Sequence, residues 1–121
     1  MKKPTRDPQD LLPLTQPVFS ILLALAGGEK HGYGLMQEIT AQSKGRLSMG
    51  PGTLYGSIKR MIEDALIAES EARPDPDHDD VRRRYYRLTP FGKRVLGAEL
   101  ERLRDLVRLG EERRIIGGTP A

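Results

Sequence analysis

The chain contains no cysteine and no tryptophan, and aromatic residues make up only 5% of its 121 residues. The absence of cysteine excludes disulfides, thiolate metal ligands and a cysteine nucleophile. Hydrophobic residues amount to 37%, which is enough for one small core but not for a deep, closed substrate cavity. A chain of this length has room for a single domain, so a multidomain enzyme is excluded.

Long hydrophobic runs are missing as well. The longest apolar stretch, Leu11–Ala26, is interrupted by prolines and polar residues and falls short of the roughly 18 residues that a membrane span needs. Prolines and aspartates near the N-terminus stand where a signal peptide would have its apolar core. We therefore expect a cytoplasmic protein without a membrane partner.

The charge is modestly positive and unevenly distributed. A net charge of +3 is only weak evidence for a polyanionic partner. The basic residues, however, cluster in 2–6, 59–60, 82–87 and 113–114, whereas acidic residues concentrate in 69–80. Clusters of basic residues separated from the acidic ones are typical of nucleic-acid-binding proteins, so the position of these clusters in the predicted helices and strands matters.

Hydrophobic periodicity predicts three short helices in the first half of the chain. Residues 1–14 are rich in proline and charge and predict a mobile arm without packing contacts. The first helix begins near Thr15 and ends at Gly27; the second runs from His31 to about Gly45. The third begins at Pro51, and its predicted buried stripe consists of Leu54, Ile58, Met61, Ile62 and Ala65.

Two strand-like runs and a long helix follow. The runs Leu66–Ser70 and Arg83–Leu88 predict a hairpin, in which Tyr85 and Tyr86 alternate so that one ring is buried and the other partly exposed. Thr89 and Pro90 then begin a helix extending to about 116, and a flexible tail occupies 117–121. The fold class is therefore mainly α with a small β-hairpin, a winged helix-turn-helix over 15–89 and a C-terminal dimerisation helix over 90–116.

The exposed face of the third helix carries the functional prediction. On a helical wheel this face has small residues, two cations and hydroxyl groups, which suit close approach to phosphates and base edges. The residues of this helix predicted to contact DNA are Gly52, Thr53, Tyr55, Lys59 and Arg60. In the hairpin, Arg82, Arg83 and Arg84 are predicted to do the same. The alternatives are a solvated helix face for the lysine and arginine, simple packing for Tyr55 and protection of a strand edge for the arginines.

The terminal helix has an apolar seam at alternating four- and three-residue spacing, which indicates a partner helix. Its members are Leu96, Leu100, Leu103 and Val107. The alternative is that the seam packs on the core of its own chain. Because the helix is longer than the three-helix domain on which it packs, we expect its later turns to pair with a second copy in a homodimer.

Four short motifs give the chain a specific resemblance. His31-Gly32-Tyr33-Gly34, Gly52-Thr53-Leu54-Tyr55, Asp64-Ala65-Leu66-Ile67 and Tyr85-Tyr86-Arg87-Leu88-Thr89 are similar to those of the PadR-like transcriptional regulators. The single terminal helix resembles the short branch of that family. The resemblance covers most of the chain, roughly Val18–Leu103.

The resemblance implies a repressor that binds a palindromic operator in double-stranded DNA as a homodimer and releases it when a small-molecule effector binds. It adds Tyr33 to the DNA-facing residues and implies an effector pocket lined by Phe19 and the terminal helix. The sequence departs from the family at Gly50, where serine is common, and at Gly56, where proline is frequent. The aspartates of 75–80 would repel phosphates, so the base of the wing, not its tip, is expected to contact DNA.

Two other classes of function compete with this prediction. A degenerate helix-turn-helix serving only as a protein-interaction module is supported by Glu63 and the acidic wing tip. An enzyme is not expected, because no nucleophile with a base, paired carboxylates or phosphate-binding loop is present. The acids around His78 lack the glycine and distal glutamate of a calcium loop, and His31 stands where a helix cap is needed, so no metal or cofactor is predicted.

Overall fold

The computed structural model describes residues 6–70 and 84–117. Its four helices are α1 (Gln16–Leu25), α2 (Gly32–Gln42), α3 (Pro51–Glu63) and α4 (Pro90–Glu112), preceded by a 3-10 turn at Pro8–Leu11. The prediction of a mainly α chain with a small hairpin is confirmed. No helix of the described ranges has both the length and the apolar character needed to cross a bilayer.

Helices α1, α2 and α3 and the first half of α4 enclose the core. Ile21, Leu22, Leu35, Ile39 and Leu54 are fully buried there.

The predicted stripe of α3 is only partly correct. Ile58 and Met61 are buried, whereas Ile62 and Ala65 are exposed. The helix ends at Glu63, and Ala65 adopts a left-handed conformation with φ of 61°, so it turns the chain away from the helix axis. The stripe therefore stops at Met61.

The sheet has one strand more than the sequence predicts. Strands β1 (Lys30–His31), β2 (Ile67–Ser70) and β3 (Tyr85–Leu88) form an antiparallel sheet in the order β1–β3–β2. The prediction that one of the two tyrosine rings of β3 is partly exposed is wrong, since Tyr85 and Tyr86 are both buried. Tyr86 lies in the hydrophobic core, while the ring of Tyr85 meets His31 edge-on at 5.3 Å.

The segment 6–14, named here the N-terminal strap, packs against the domain. The expectation that residues 1–14 make no packing contacts is wrong for this part, and residues 1–5 lie outside the described ranges. Leu11, Leu12 and Leu14 lie against the core, so their burial offsets the entropy of ordering the strap.

Glu99 of α4 fixes the end of the strap. The side chain is only 2% exposed. One carboxylate oxygen accepts a hydrogen bond of 2.8 Å from the backbone N–H of Leu14, and the other accepts one of 2.5 Å from Nε of Arg102. The bond from Arg102 is the main reason that the pKa of Glu99 lies below its usual value of 4.5, against the opposing effect of burial. The buried carboxylate is therefore charged and satisfied.

Acid is expected to weaken the fold through Glu99. Because its pKa is lowered in the folded chain, the stabilisation is present above pH 4.5 and is lost as pH falls through the lower folded value. At about pH 6.5 we expect Glu99→Gln to lower the free energy of unfolding by about 2 kcal/mol. Urea unfolding at several pH values should then show a smaller loss of stability toward acid for the variant. Equal losses in both proteins would contradict this assignment.

Candidate nucleic-acid interface

Helix α3 presents its predicted face to solvent. Pro51 stands in the first turn, where its fixed backbone angle favours helix formation and no N–H is needed. Leu54, Ser57, Ile58 and Met61 are the buried residues that anchor the helix on the domain. The structure leaves the predicted contact residues of α3 exposed: Gly52, Thr53, Tyr55, Lys59 and Arg60.

The two cations of this face are available to a partner. Within 6–70 and 84–117, Lys59 forms no ion pair, and the guanidinium of Arg60 reaches only the hydroxyl of Ser57, at 3.5 Å. Glu63 is exposed one turn after Lys59. The face is thus net positive, with one acidic residue at its C-terminal end.

Tyr33 and Tyr55 lie at the junction between the start of α2 and α3. Their side chains are 52% and 48% exposed. The hydroxyl of Tyr55 lies directly against Gly32: a β-carbon at that position would be 2.7 Å from Cζ of the tyrosine and closer still to its oxygen. Only glycine permits this approach, so Gly32 determines how the Tyr55 ring lies between the two helices.

His31 has a structural role, as the sequence suggested. Its Nδ1 accepts a hydrogen bond of 3.0 Å from the N–H of Gly34 and thereby caps α2. The same ring contacts Tyr85 of β3. The side chain thus joins the first turn of α2 to the base of the hairpin.

At the hairpin, Arg84 is exposed and pairs with Glu69 of the neighbouring strand. The distance from its Nε to the carboxylate is 3.7 Å. An exposed pair of this kind is weak, so it leaves Arg84 free to exchange partners. Arg82 and Arg83, like the acidic residues of 75–80, lie outside the described ranges.

The predicted dimer seam divides into two parts along α4. Leu96 is only 5% exposed and belongs to the core of its own chain, so it offers nothing to a partner. Leu100 and Val107 are exposed, the latter by 50%, and Leu103 is half-buried. The exposed part of the seam therefore begins about one turn later than predicted. Leu106 and Leu109 are also exposed on this half of α4, but Leu109 lies on the opposite side of the helix from Leu100.

Phe19, predicted to line an effector pocket, is half-buried and packs against the core. It does not line the cavity of about 330 Å³ beneath the N-terminal strap, although its neighbour Val18 does. The described residues include no cluster of three potential metal ligands.

Comparison with known families decides the classification. The sequence profile of the transcriptional regulator PadR-like family matches residues 21–98, which run from the second half of α1 through α2, α3 and the sheet to the start of α4. The chain belongs to this family. PadR-like proteins are transcriptional regulators and not enzymes, so the prediction that the chain is not an enzyme is confirmed.

Curated relatives agree with this assignment. The PadR-like chain is 38% identical over 88 residues to the transcriptional regulator Rv3488 of Mycobacterium tuberculosis, a match covering 73% of this chain and 76% of that protein. It is 37% identical over 79 residues to an uncharacterized 37.1 kDa protein of a Streptomyces fradiae transposon. That match covers 65% of this chain but only 20% of the relative's length.

Solved structures confirm the winged helix-turn-helix fold. A PadR family transcription regulator from Clostridium difficile superposes with a TM-score of 0.66 at 22% identity, covering 81% of this chain and 97% of that one. Bacillus subtilis PadR, solved in complex with operator DNA, gives a TM-score of 0.61 at 22% identity, covering 73% and 48%. These two similarities concern the PadR-like fold alone.

The sequence did not predict the contacts of Gly32 in this site or those of Glu99 beneath the strap. Gly32 belongs to one of the family motifs, but its contact with Tyr55 joins segments more than 20 residues apart, so no local pattern indicates it. Glu99 looks like one more charge on a polar helix. Nothing in the sequence around Glu99 indicates that the backbone N–H of Leu14, in the strap, donates a hydrogen bond to its carboxylate.

Proposed function

We propose that this PadR-like regulator is a cytoplasmic repressor that binds a palindromic operator as a homodimer and responds to a small-molecule effector. The observation that carries the proposal is the exposed, net positive face of α3 on a helix whose opposite side is anchored in the core. The wide major groove of DNA accepts one helix of this kind. The operator complex of the related Bacillus subtilis protein supports the same use of the fold.

Each exposed group of this face has a distinct expected role. Gly52 and Thr53 in the first turn allow the helix backbone to approach the bases, while Lys59 and Arg60 neutralise phosphates. Tyr55 on α3 and Tyr33 at the start of α2 position the recognition helix by contacts to the sugar-phosphate backbone. Arg84 would exchange its contact with Glu69 for the phosphates beside the groove, and Arg82 and Arg83 would add two further cations to that contact.

The dimer follows from the second half of α4. Leu100, Leu103 and Val107 continue the apolar side of a helix whose first half is buried in the core. Two copies joined there would place their recognition helices about 34 to 36 Å apart, on successive major grooves of a palindrome. Binding both half-sites at once would give the affinity that one domain lacks.

Binding of a selected operator fragment should depend steeply on salt, with Lys59 contributing one phosphate contact. We expect Lys59→Ala to lower affinity several-fold near 0.1 M salt and to reduce the slope of log K against log salt by about 1. Arg108→Ala removes an equal charge from the far half of α4 and should leave the slope unchanged. Fluorescence anisotropy over a salt series measures both.

A wild-type protein without salt-dependent binding to any selected duplex would overturn the proposal. It would instead favour the protein-interaction module, for which the exposed Glu63 on the same face is the supporting residue. A saturable footprint on a defined promoter site would exclude that alternative.

A further inference from the structure

The cavity beneath the N-terminal strap has a volume of about 330 Å³, at the lower end of the range for small-molecule sites. We propose that it binds a small aliphatic carboxylate, and that this ligand competes with DNA for Arg60. The second part rests on the proposed function, whereas the first does not. The strap supplies one wall through Leu11, Pro13 and Leu14.

The opposite wall comes from the body of the domain. Val18 of α1, Met61 of α3 and Leu66 continue the aliphatic lining. No aromatic ring lines the cavity, so a flat ligand would find nothing to stack on, whereas a flexible alkyl chain can fill the space between branched side chains. The lining therefore selects an aliphatic ligand body.

Two charged side chains, Arg60 and Asp64, also line the cavity. Arg6 of the strap lies 3.9 Å from the carboxylate of Asp64 and also contacts its carbonyl oxygen, so its positive charge offsets that of the acid. The guanidinium of Arg6 is further held over the ring of Phe91, at 4.7 Å from the centroid. Asp64 therefore has a cation of its own beside it, separate from Arg60.

Arg60 is left as the unbalanced charge of the cavity. Its contact with the Ser57 hydroxyl, at 3.5 Å, is at the limit of a hydrogen bond, and within the described ranges it has no carboxylate partner. A ligand carboxylate would satisfy the guanidinium with charge-assisted hydrogen bonds. The head group that fits this cavity is therefore an anion.

The position of Arg60 links the cavity to the DNA face. It lines the cavity and is exposed on the face of α3 that carries Lys59. A guanidinium neutralised by the ligand is lost to phosphates, so ligand and DNA weaken each other's binding by the same factor. The site thus reports ligand occupancy through a residue of the recognition helix, without movement of a separate domain.

Titration calorimetry of the full chain with octanoate, in the absence of DNA, tests the site directly. We expect saturable binding of one octanoate per chain, with 1-octanol at least about tenfold weaker because it lacks the charge. Octylammonium, which carries the opposite charge, should not bind. Absence of saturable octanoate binding, or equal affinity for all three probes, would overturn the proposal.

Two variants locate the site. Val18→Phe fills the cavity and should abolish octanoate binding, and its thermal unfolding reports whether it remains folded. Arg60→Gln changes an exposed side chain and should lower octanoate affinity about tenfold, which keeps the test decisive even where the first variant fails to fold. Octanoate affinity unchanged in folded Val18→Phe, or unchanged in Arg60→Gln, would place the binding elsewhere and overturn the proposal.

Competition with DNA is the last step. Saturating octanoate should lower the affinity of the wild-type protein for its operator about tenfold. Val18→Phe should bind DNA normally and no longer respond to octanoate. Octanoate binding without an effect on DNA affinity would overturn the competition. A wild-type protein that binds no DNA would refute the proposed function, while calorimetry would still decide the ligand site.

Discussion

Replacing Gly92 by alanine is expected to lower the free energy of unfolding by about 3 kcal/mol. Gly92 lies in the first turn of α4 against the connection between α3 and β2, where a β-carbon would be 2.9 Å from the carbonyl carbon of Leu66 and closer still to its oxygen. The obstacle is backbone, which cannot rotate away as a side chain could. The same carbonyl accepts hydrogen bonds from the backbone N–H and the hydroxyl of Thr89. Thr89 in turn caps α4 by accepting a hydrogen bond from the N–H of Gly92, so displacement of the carbonyl would also weaken this cap.

Gly97 provides the matched control within the same helix. A β-carbon there meets nothing within 4 Å, so Gly97→Ala should raise stability by up to about 1 kcal/mol through helix propensity. Urea unfolding of the three proteins, followed by circular dichroism, measures both effects. Equal stabilities of the two variants would show that Gly92 tolerates a side chain and that the junction is looser than the structure indicates.

Charging the apolar face of α4 is expected to have the largest effect on DNA binding. Val107→Lys would place two lysines together in the proposed dimer, so we expect a protein with the mass of one chain by light scattering. Loss of simultaneous half-site binding should lower affinity for a palindromic fragment by at least about 100-fold. The added positive charge alone would strengthen DNA binding, so the expected change has the opposite sign to a simple charge effect.

The neighbouring position supplies the comparison for this experiment. Arg108 lies on the polar side of α4, paired with Asp105 at 3.8 Å, and Arg108→Lys introduces the same side chain there. This variant should remain dimeric and bind the palindrome as the wild type does. A dimeric Val107→Lys protein with full affinity would refute the assignment of the α4 surface.

Local sequence signals predicted the helices well because each signal acts within a few residues. Pro51 in a first turn, the Thr89 cap and the glycines after α1 and α2 mark helix ends through backbone geometry that does not depend on the rest of the fold. The exposed face of α3 followed equally from the spacing of its buried residues. The order of the elements followed from the same signals, and the resemblance to a known family added the assignment of Tyr33.

What the sequence did not predict depends on contacts between distant segments. Leu96 and Leu100 belong to one continuous apolar seam in the sequence. Leu96 is buried and Leu100 is exposed because the rest of the domain covers only the first half of α4. Leu14 was assigned to a mobile arm because prolines and charges surround it, yet its N–H meets the buried carboxylate of Glu99. The two-residue strand β1 is too short to produce a periodic pattern, and without it the burial of Tyr85 was not expected.

The sheet also bears on the colloidal behaviour of the protein. Strand β3 is bonded on both sides, so the only open borders of the described sheet are the two residues of β1 and the four of β2. Short borders offer few unpaired N–H and carbonyl groups to another molecule, and Glu69 on β2 adds a charge that opposes stacking. At the high concentrations used for structural work, self-association should therefore proceed through helix α4 and not through growth of β-rich aggregates.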